Sequence, residues 1–282
     1  MQILQRINDL RRLLGEARAE GKRVGLVPTM GYLHYGHLSL IKRARAENQV
    51  VVVSIFVNPL QFGPKEDYAS YPRDLERDSE LAFAAGADLI FAPAVEDMYP
   101  CQSLTHVETA VLGEWLCGQS RPGHFRGVTT VVSKLFNIVQ PHNAYFGEKD
   151  AQQLAIIKQM VYDLNFPIDI VSVPIVREQD GLAMSSRNVY LSPEERSNAT
   201  ILNKALNQAK DLYFKGERNS AKIKEVMVDM INNVPGTTID YVEICDFNTL
   251  QPIESIDSKA LAAVAVRFGK TRLIDNITLA EV

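Results

Sequence analysis

Residues 24–37 read VGLVPTMGYLHYGH, and residues 50–57 read VVVVSIFV. The first stretch is a short apolar run that passes through a Pro into Met30-Gly31, which predicts a strand ending in a loop. Between the two, Leu38–Glu47 places apolar residues at 38, 41 and 44, a helical spacing. Val50–Val57 is continuously apolar and rich in β-branched residues, the composition of a strand buried on both faces in a parallel sheet, and Asn58-Pro59 ends it. Strand, loop, helix and strand therefore follow one another within 34 residues, the βαβ unit of an open parallel sheet.

The alternation continues downstream. The patterns predict a helix at Asp74–Ala85, a strand at Asp88–Phe91, a helix at Thr129–Val139, a strand at Ala144–Phe146, a helix at Gln152–Leu164 and a strand at Asp169–Val173. Ligands of such sheets sit at the carboxyl ends of the strands, so Met30, Asn58 and Gly147, which all follow strands, are expected to line one crevice. After about residue 176 the pattern changes. Ser192-Pro193-Glu194-Glu195 is a capping box with Pro at the first helical position, opening a helix expected to run to about Tyr213. A second helix is predicted at Ser220–Asn232, and strands at Thr238–Cys245, Leu261–Phe268 and Thr271–Asp275. The fold class that results is α/β, a Rossmann-like open parallel sheet over 1–175. A smaller α+β domain with an antiparallel sheet is expected over 176–282.

Composition narrows the function classes. The chain has 282 residues, 46% of them hydrophobic, and a formal charge of −4 with both signs interspersed. It has no Lys/Arg-rich run, so the electrostatic footprint of a nucleic-acid binder is missing. No stretch has the length of a membrane span. The N-terminal segment MQILQRINDLRRLLGEARAEGKR has an amphipathic helical pattern without the apolar core of a signal peptide. Cys101, Cys117 and Cys245 are odd in number and far apart, with no zinc spacing; they fit reduced thiols. A cytoplasmic location is expected.

His34-Tyr35-Gly36-His37 lies between strand and helix. A helix start offers unpaired N–H groups and a positive dipole end to a phosphate. Gly36 permits close approach of a nucleotide, and two imidazoles can donate to phosphate oxygens. The alternative is that the histidines only cap the helix. Met184-Ser185-Ser186-Arg187-Asn188 joins two hydroxyls to a guanidinium fork, suited to β- and γ-phosphates, or else is a polar loop before the Ser192 cap. Gly147-Glu148-Lys149-Asp150 follows a strand. Lys149 can neutralise an α-phosphate, and Asp150 or Glu148 can hold Mg²⁺ or a ribose hydroxyl. Asn58 and Gln61 place amides at a strand end and Arg121 adds a cation, groups that suit a substrate with hydroxyl and carboxylate.

The segments PTMGYLHYGH, VVSIFVNPLQF, YPRDLERD, RPGHFRGV, FGEKDAQQL and VREQDGLAMSSRNVYL, in that order, resemble the pantothenate synthetase family, within the adenylate-forming enzymes that carry HIGH and KMSKS signatures. The resemblance runs from about Val24 to Leu191, with GEKD…QQL and GLAMSSRN its most specific parts. It implies ATP-dependent condensation of pantoate with β-alanine through pantoyl-adenylate, releasing pyrophosphate and AMP, in a Mg²⁺-dependent homodimer. It places ATP on Met30, Gly31, Tyr32, Leu33, His34, Tyr35, Gly36 and His37, on Gly147, Glu148, Lys149 and Asp150, and on Val176, Met184, Ser185, Ser186 and Arg187. It places pantoate on Gln61 and Gln153, and makes His37 the catalytic histidine beside His34 and Lys149. Closure of the smaller domain is expected to keep water from the adenylate. Asp74 departs from the Thr expected after YPR. The rival reading is a nucleotidyltransferase that moves AMP or CMP onto a phosphorylated small molecule.

Overall fold

The computed structural model describes residues 2–64 and 66–280. Strand β1 (Gln2–Leu4) leads into helix α1 (Ile7–Ala19), then β2 (Val24–Thr29), α2 (Tyr35–Glu47) and β3 (Val50–Ile55). Next come α3 (Leu75–Ala85), β4 (Leu89–Phe91) and two single turns, α4 (Val95–Met98) and α5 (Cys117–Ser120). The long α6 (His124–Val139), β5 (Asn143–Gly147), α7 (Ala151–Asp163) and β6 (Asp169–Val173) complete this part. The remainder holds α8 (Pro193–Asn198), α9 (Ile201–Phe214), α10 (Ser220–Asn232), β7 (Thr237–Asp246), β8 (Ala260–Phe268) and β9 (Thr271–Leu279).

The first six strands make one sheet in the order β1-β4-β3-β2-β5-β6, with every pair parallel. From β2 the chain builds outward through β3 and β4, then returns to lay β5 on the other side of β2. That reversal is the topological switch point at which open α/β sheets bind ligands, beyond the carboxyl ends of the strands. Both faces of the sheet are covered. Leu26 and Val52 belong to one apolar cluster with Leu10, Leu14 and Phe136, whereas Val27, Val51 and Val53 belong to another with Ile41 and Ile90. Adjacent strand residues thus enter opposite cores, and this is why β2 and β3 read as uninterrupted apolar runs.

The chain divides into two compact units. One comprises Met1–Gly113, Arg121–Glu148 and Gln153–Pro174; the other comprises Glu114–Ser120, Lys149–Gln152 and Ile175–Val282. The second unit has its own core, in which Leu202, Leu206, Ile223 and Met227 of α9 and α10 pack with Ile244, Val264 and Phe268 of the antiparallel sheet β7-β8-β9. Its short segments 114–120 and 149–152 are joined to each other by Gln152, whose amide accepts from Cys117 N at 3.0 Å and donates to Trp115 O at 2.7 Å.

The largest differences from the expected boundaries fall at four elements. The N-terminal helical pattern begins with an edge strand, β1, paired to β4, and three residues are too few to show alternation. Helix α6 starts five residues before Thr129, because Gly123 takes a left-handed conformation (φ 80°) and the helix continues through Gly127. The helix opened by the Ser192 capping box is confirmed at its start, with Glu195 N donating to Ser192 Oγ at 3.3 Å, but it stops at Asn198. There Thr200 turns its hydroxyl onto Ser197 O at 2.9 Å, and α9 restarts at Ile201. Strand β9 runs on to Leu279 rather than ending at Asp275, paired throughout with β8.

Candidate active site

At the carboxyl end of β2 the chain is held from several directions. Thr29 Oγ1 donates to Ser54 O at 2.8 Å and accepts from Gly31 N at 3.2 Å, tying the loop to β3. Gly31 has φ +86°, and a Cβ there would lie 3.0 Å from both Asp78 Oδ2 and Ile55 Cγ2, so only Gly fits. Tyr32 also has positive φ (50°) and stays there because Asp78, on α3, accepts from Tyr32 N at 2.6 Å and Leu33 N at 2.7 Å. Arg77 donates to Leu33 O at 3.0 Å. Asp78 is 1% exposed; burial raises its carboxyl above the usual range, against the pull of the Leu33 and Tyr32 N–H groups and of Arg77. Both of its oxygens accept, the arrangement that an ionised carboxylate provides. Nothing in the sequence marked Asp78 as functional. Asp74, two residues past YP, accepts from Arg77 N at 3.1 Å and caps α3, a task that Asp and Thr both perform.

His34 is the N-cap of α2. Its Nδ1 accepts from Gly36 N at 3.1 Å, while His34 N donates to His37 Nδ1 at 3.3 Å. The two rings lie in contact, tilted by 37° with centroids 4.1 Å apart. Both rings therefore use Nδ1 as an acceptor, so in the neutral form each carries its proton on Nε2, a donor suited to a phosphate oxygen. Capping is thus compatible with phosphate binding, because the cap uses Nδ1 and a phosphate would be met by Nε2. The first turn of α2 contains no acidic residue, so its dipole is not spent on a carboxylate. Tyr35, by contrast, is 68% exposed, leaving its backbone as its contribution to the helix start.

At the end of β3 the turn Pro59–Gln61 is locked in place. Asn58 Oδ1 accepts from Leu60 N (3.3 Å) and Tyr99 Oη (2.9 Å), and its Nδ2 donates to Gln61 Oε1 and Gly127 O, both at 3.1 Å. Gln61 Nε2 lies 3.1 Å from Met30 Sδ. Asn58 is buried and all four of its amide positions are engaged. The protein itself engages the Asn58 amide that the sequence offers to substrate, and through it Asn58 holds Gln61. Arg121 is likewise engaged by protein groups. Its guanidinium grips Glu66 with two bonds of 2.7 and 2.6 Å, holding that carboxyl below its usual range despite the opposing effect of burial. It also donates to Gln61 O at 3.3 Å, and His124 Nδ1 meets the same carbonyl at 2.8 Å. Arg121 is thus neutralised by Glu66 and fixes the backbone of Gln61. Gly127 brings α6 against this turn: a Cβ there would overlap the Leu60 carbonyl and lie 2.7 Å from Gln61 Cα. Gly127→Ala is expected to lower stability by about 1–3 kcal/mol and to displace the Gln61 turn, raising the KM for any substrate bound there, measurable by thermal melts and steady-state kinetics.

Gln153 lies in the first turns of α7, half-buried. Its neighbour Gln152 is fully committed within the second unit and is structural. The turn Glu148–Asp150 enters that second unit at Lys149, whose carbonyl accepts from Asn276 Nδ2 at 2.9 Å. Val176 O accepts from Met184 N at 3.0 Å, closing a short hairpin whose end carries Ser185-Ser186-Arg187. Ser185 Oγ accepts from Arg187 N at 3.2 Å and starts a 3-10 turn over Ser186–Tyr190. The glycines, hydroxyls and cations picked out in the sequence therefore lie at strand ends, helix starts and capped turns. Among the described residues no three His, Cys, Asp or Glu side chains are grouped to hold a metal ion.

A model of the family described as pantoate-beta-alanine ligase matches residues 2–278. The chain belongs to that family. It is 60% identical over 279 residues to the pantothenate synthetase of Moorella thermoacetica, and 58% identical to that of Desulfitobacterium hafniense, each alignment covering 99% of both chains. The crystal structure of the Thermus thermophilus pantothenate synthetase superposes with a TM-score of 0.95 at 49% identity, covering 100% of both chains. The pantoate-beta-alanine ligase of Francisella tularensis, complexed with beta-gamma ATP and beta-alanine, superposes with a TM-score of 0.82 at 36% identity, over 98% of this chain and 97% of that one. The pantoate–β-alanine ligase family accounts for the parallel sheet and for the smaller antiparallel one.

Proposed function

We propose that this chain joins pantoate to β-alanine at the expense of ATP, in two steps. A pantoate carboxylate oxygen attacks the α-phosphorus of ATP, the bond to the bridging oxygen breaks, and pyrophosphate leaves. The amine of β-alanine then attacks the acyl carbon of pantoyl-adenylate; the C–O bond breaks, AMP leaves and the amine loses a proton. A free carboxylate would have to expel oxide, whereas the adenylate expels AMP. The observation that carries this reading is the His34–His37 capping box at the carboxyl end of β2, in a chain of this family. It provides two Nε2–H donors and an uncompensated helix start for charge that grows on phosphate.

The roles follow from the chemistry of each group. Met30–His37 and the Gly147 strand end are read as nucleotide-binding backbone. Lys149, Ser185, Ser186 and Arg187 offset charge on the α-phosphate and the departing pyrophosphate. Mg²⁺ is proposed to enter with ATP. It favours phosphate oxygens, water and one or two carboxylates over a dedicated protein cage, and Glu148 or Asp150 would supply such a carboxylate. No helix among the described residues is long and apolar enough to cross a membrane. A cytoplasmic homodimer remains our reading. The rival nucleotidyltransferase is not favoured, since the family model and the full-length relatives are pantoate–β-alanine ligases.

Two measurements test the proposal. Pantoate without β-alanine is expected to drive exchange of pyrophosphate into ATP; a strict requirement for β-alanine would overturn the sequential route. Gln61→Ala and Gln153→Ala are expected to raise the KM for pantoate at least tenfold while changing the KM for ATP less than threefold, as loss of about 1.5–3 kcal/mol per charge-assisted contact predicts. Equal damage to both substrates would remove the two glutamines from the pantoate site.

A further inference from the structure

Strand β9 carries two adjacent buried residues, Asp275 and Asn276, that tie together segments far apart in sequence. Asn276 Nδ2 donates to the backbone carbonyl of Lys149 at 2.9 Å, fixing the peptide from which the lysine side chain springs. The Asn276 N–H in turn donates to Asp275 Oδ1 at 2.8 Å. Asp275 is gripped by the Arg177 fork, with Nη1 to Oδ2 at 2.6 Å and Nη2 to Oδ1 at 3.0 Å. Arg177 begins the hairpin that ends in Met184-Ser185-Ser186-Arg187; it pairs with Ala183 and donates to Gly181 O at 3.0 Å. A planar bidentate pair with one partner almost fully buried is a rigid anchor.

We infer that Asn276 is a positioning residue for Lys149, and that the Arg177–Asp275 pair behind it sets the Lys149 turn and the Ser185–Arg187 turn in register with one another. This rests on reading Lys149 as a group that offsets charge on phosphate. Lys149 lies just beyond β5 in the chain, yet its backbone is held by the antiparallel sheet of the second unit. A lysine on a four-carbon stem acts only if its origin is fixed, since a misplacement of about 1 Å can cost about 10²-fold in rate.

The test is a double-mutant cycle in the full-length protein, read by pantoate-dependent ATP–pyrophosphate exchange and by thermal melts. Asn276→Ala is expected to slow exchange about tenfold to a hundredfold while the protein still melts cooperatively. In a Lys149→Met background the same change is expected to cost less than about twofold, because a residue that acts only through Lys149 has nothing left to position. Asn276→Gln keeps an amide and is expected to fall between wild type and Ala; if the Ala variant does not fold, the Gln variant enters the cycle and is read the same way. Losses that multiply in the double mutant, or a folded Asn276→Ala that exchanges at the wild-type rate, would overturn the inference alone. Full exchange in Lys149→Met would overturn the reading of Lys149, and the inference with it.

Discussion

Replacing His37 with Asn is expected to slow pantoate adenylation by about 10²–10³-fold while leaving the melting temperature nearly unchanged. The geometry separates the two tasks of the ring. His37 Nδ1 accepts from His34 N at 3.3 Å, and that contact closes the capping box of α2. An Asn side chain places its oxygen close to the position of Nδ1 and can keep that acceptor, but it has no counterpart of the Nε2–H. The charge-stabilising donor is lost and the cap survives. His37→Ala removes both, so it should show the same rate loss plus about 0.5–2 kcal/mol of stability. The comparison is made by ATP–pyrophosphate exchange and thermal melts on the three proteins. Normal exchange in His37→Asn would reduce the histidine to a helix cap, the plainer of the two readings its sequence context allowed.

How much of this was legible in the sequence depends on how far each effect reaches along the chain. β2 and β3 could be read from residues 24–29 and 50–55 because both faces of each are buried, which leaves the apolar run unbroken. His34 and His37 stand out in the sequence as candidates because they follow a strand, and an open parallel sheet offers its ligand crevice beyond the carboxyl ends of its strands. Helix α6 was read five residues short because two glycines, poor helix formers, flank its start. Gly123 supplies the left-handed turn, and Gly127 is kept for the close approach of Leu60 and Gln61.

Asp78 was not legible at all. It acts on the backbone N–H groups of Tyr32 and Leu33, 45 or more residues away. An acid in the first turn of a helix already has an ordinary explanation as a partner of the dipole. Arg121 shows the same limit from the other side. A cation in a loop suggests a ligand, and only the fold shows Glu66 bound along the Nε–Nη2 edge of its fork. Side chains that contact substrate announce themselves by type, whereas those that hold other residues in place are visible only once distant segments are adjacent. Asn58 sits between these cases: its amide has the type suited to a ligand, and only the fold shows that Leu60, Tyr99, Gln61 and Gly127 engage it.

Arg187→Lys is expected to slow formation of pantoyl-adenylate about 10- to 100-fold and leave its reaction with β-alanine within about twofold, the size of effect that loss of one charge-assisted contact produces. Arg187 presents a planar fork that can hold two phosphate oxygens at once, whereas lysine is a point charge. The proposed partner, pyrophosphate, departs in the first step and is absent from the second. The substitution leaves the backbone of the turn alone. Ser185 Oγ accepts from the amide of residue 187, which every side chain retains. Asn188 is fastened independently to Glu178 Oε1 at 3.1 Å and Ala183 O at 3.2 Å. A selective loss would therefore report on the guanidinium and not on a displaced loop. The comparison sets ATP-driven turnover beside a single turnover in which the variant receives pre-formed pantoyl-adenylate and β-alanine. Equal slowing in both would mean that the turn organises groups needed in each step. No slowing in either would return Ser185-Ser186-Arg187 to a polar connection leading into the Ser192 cap.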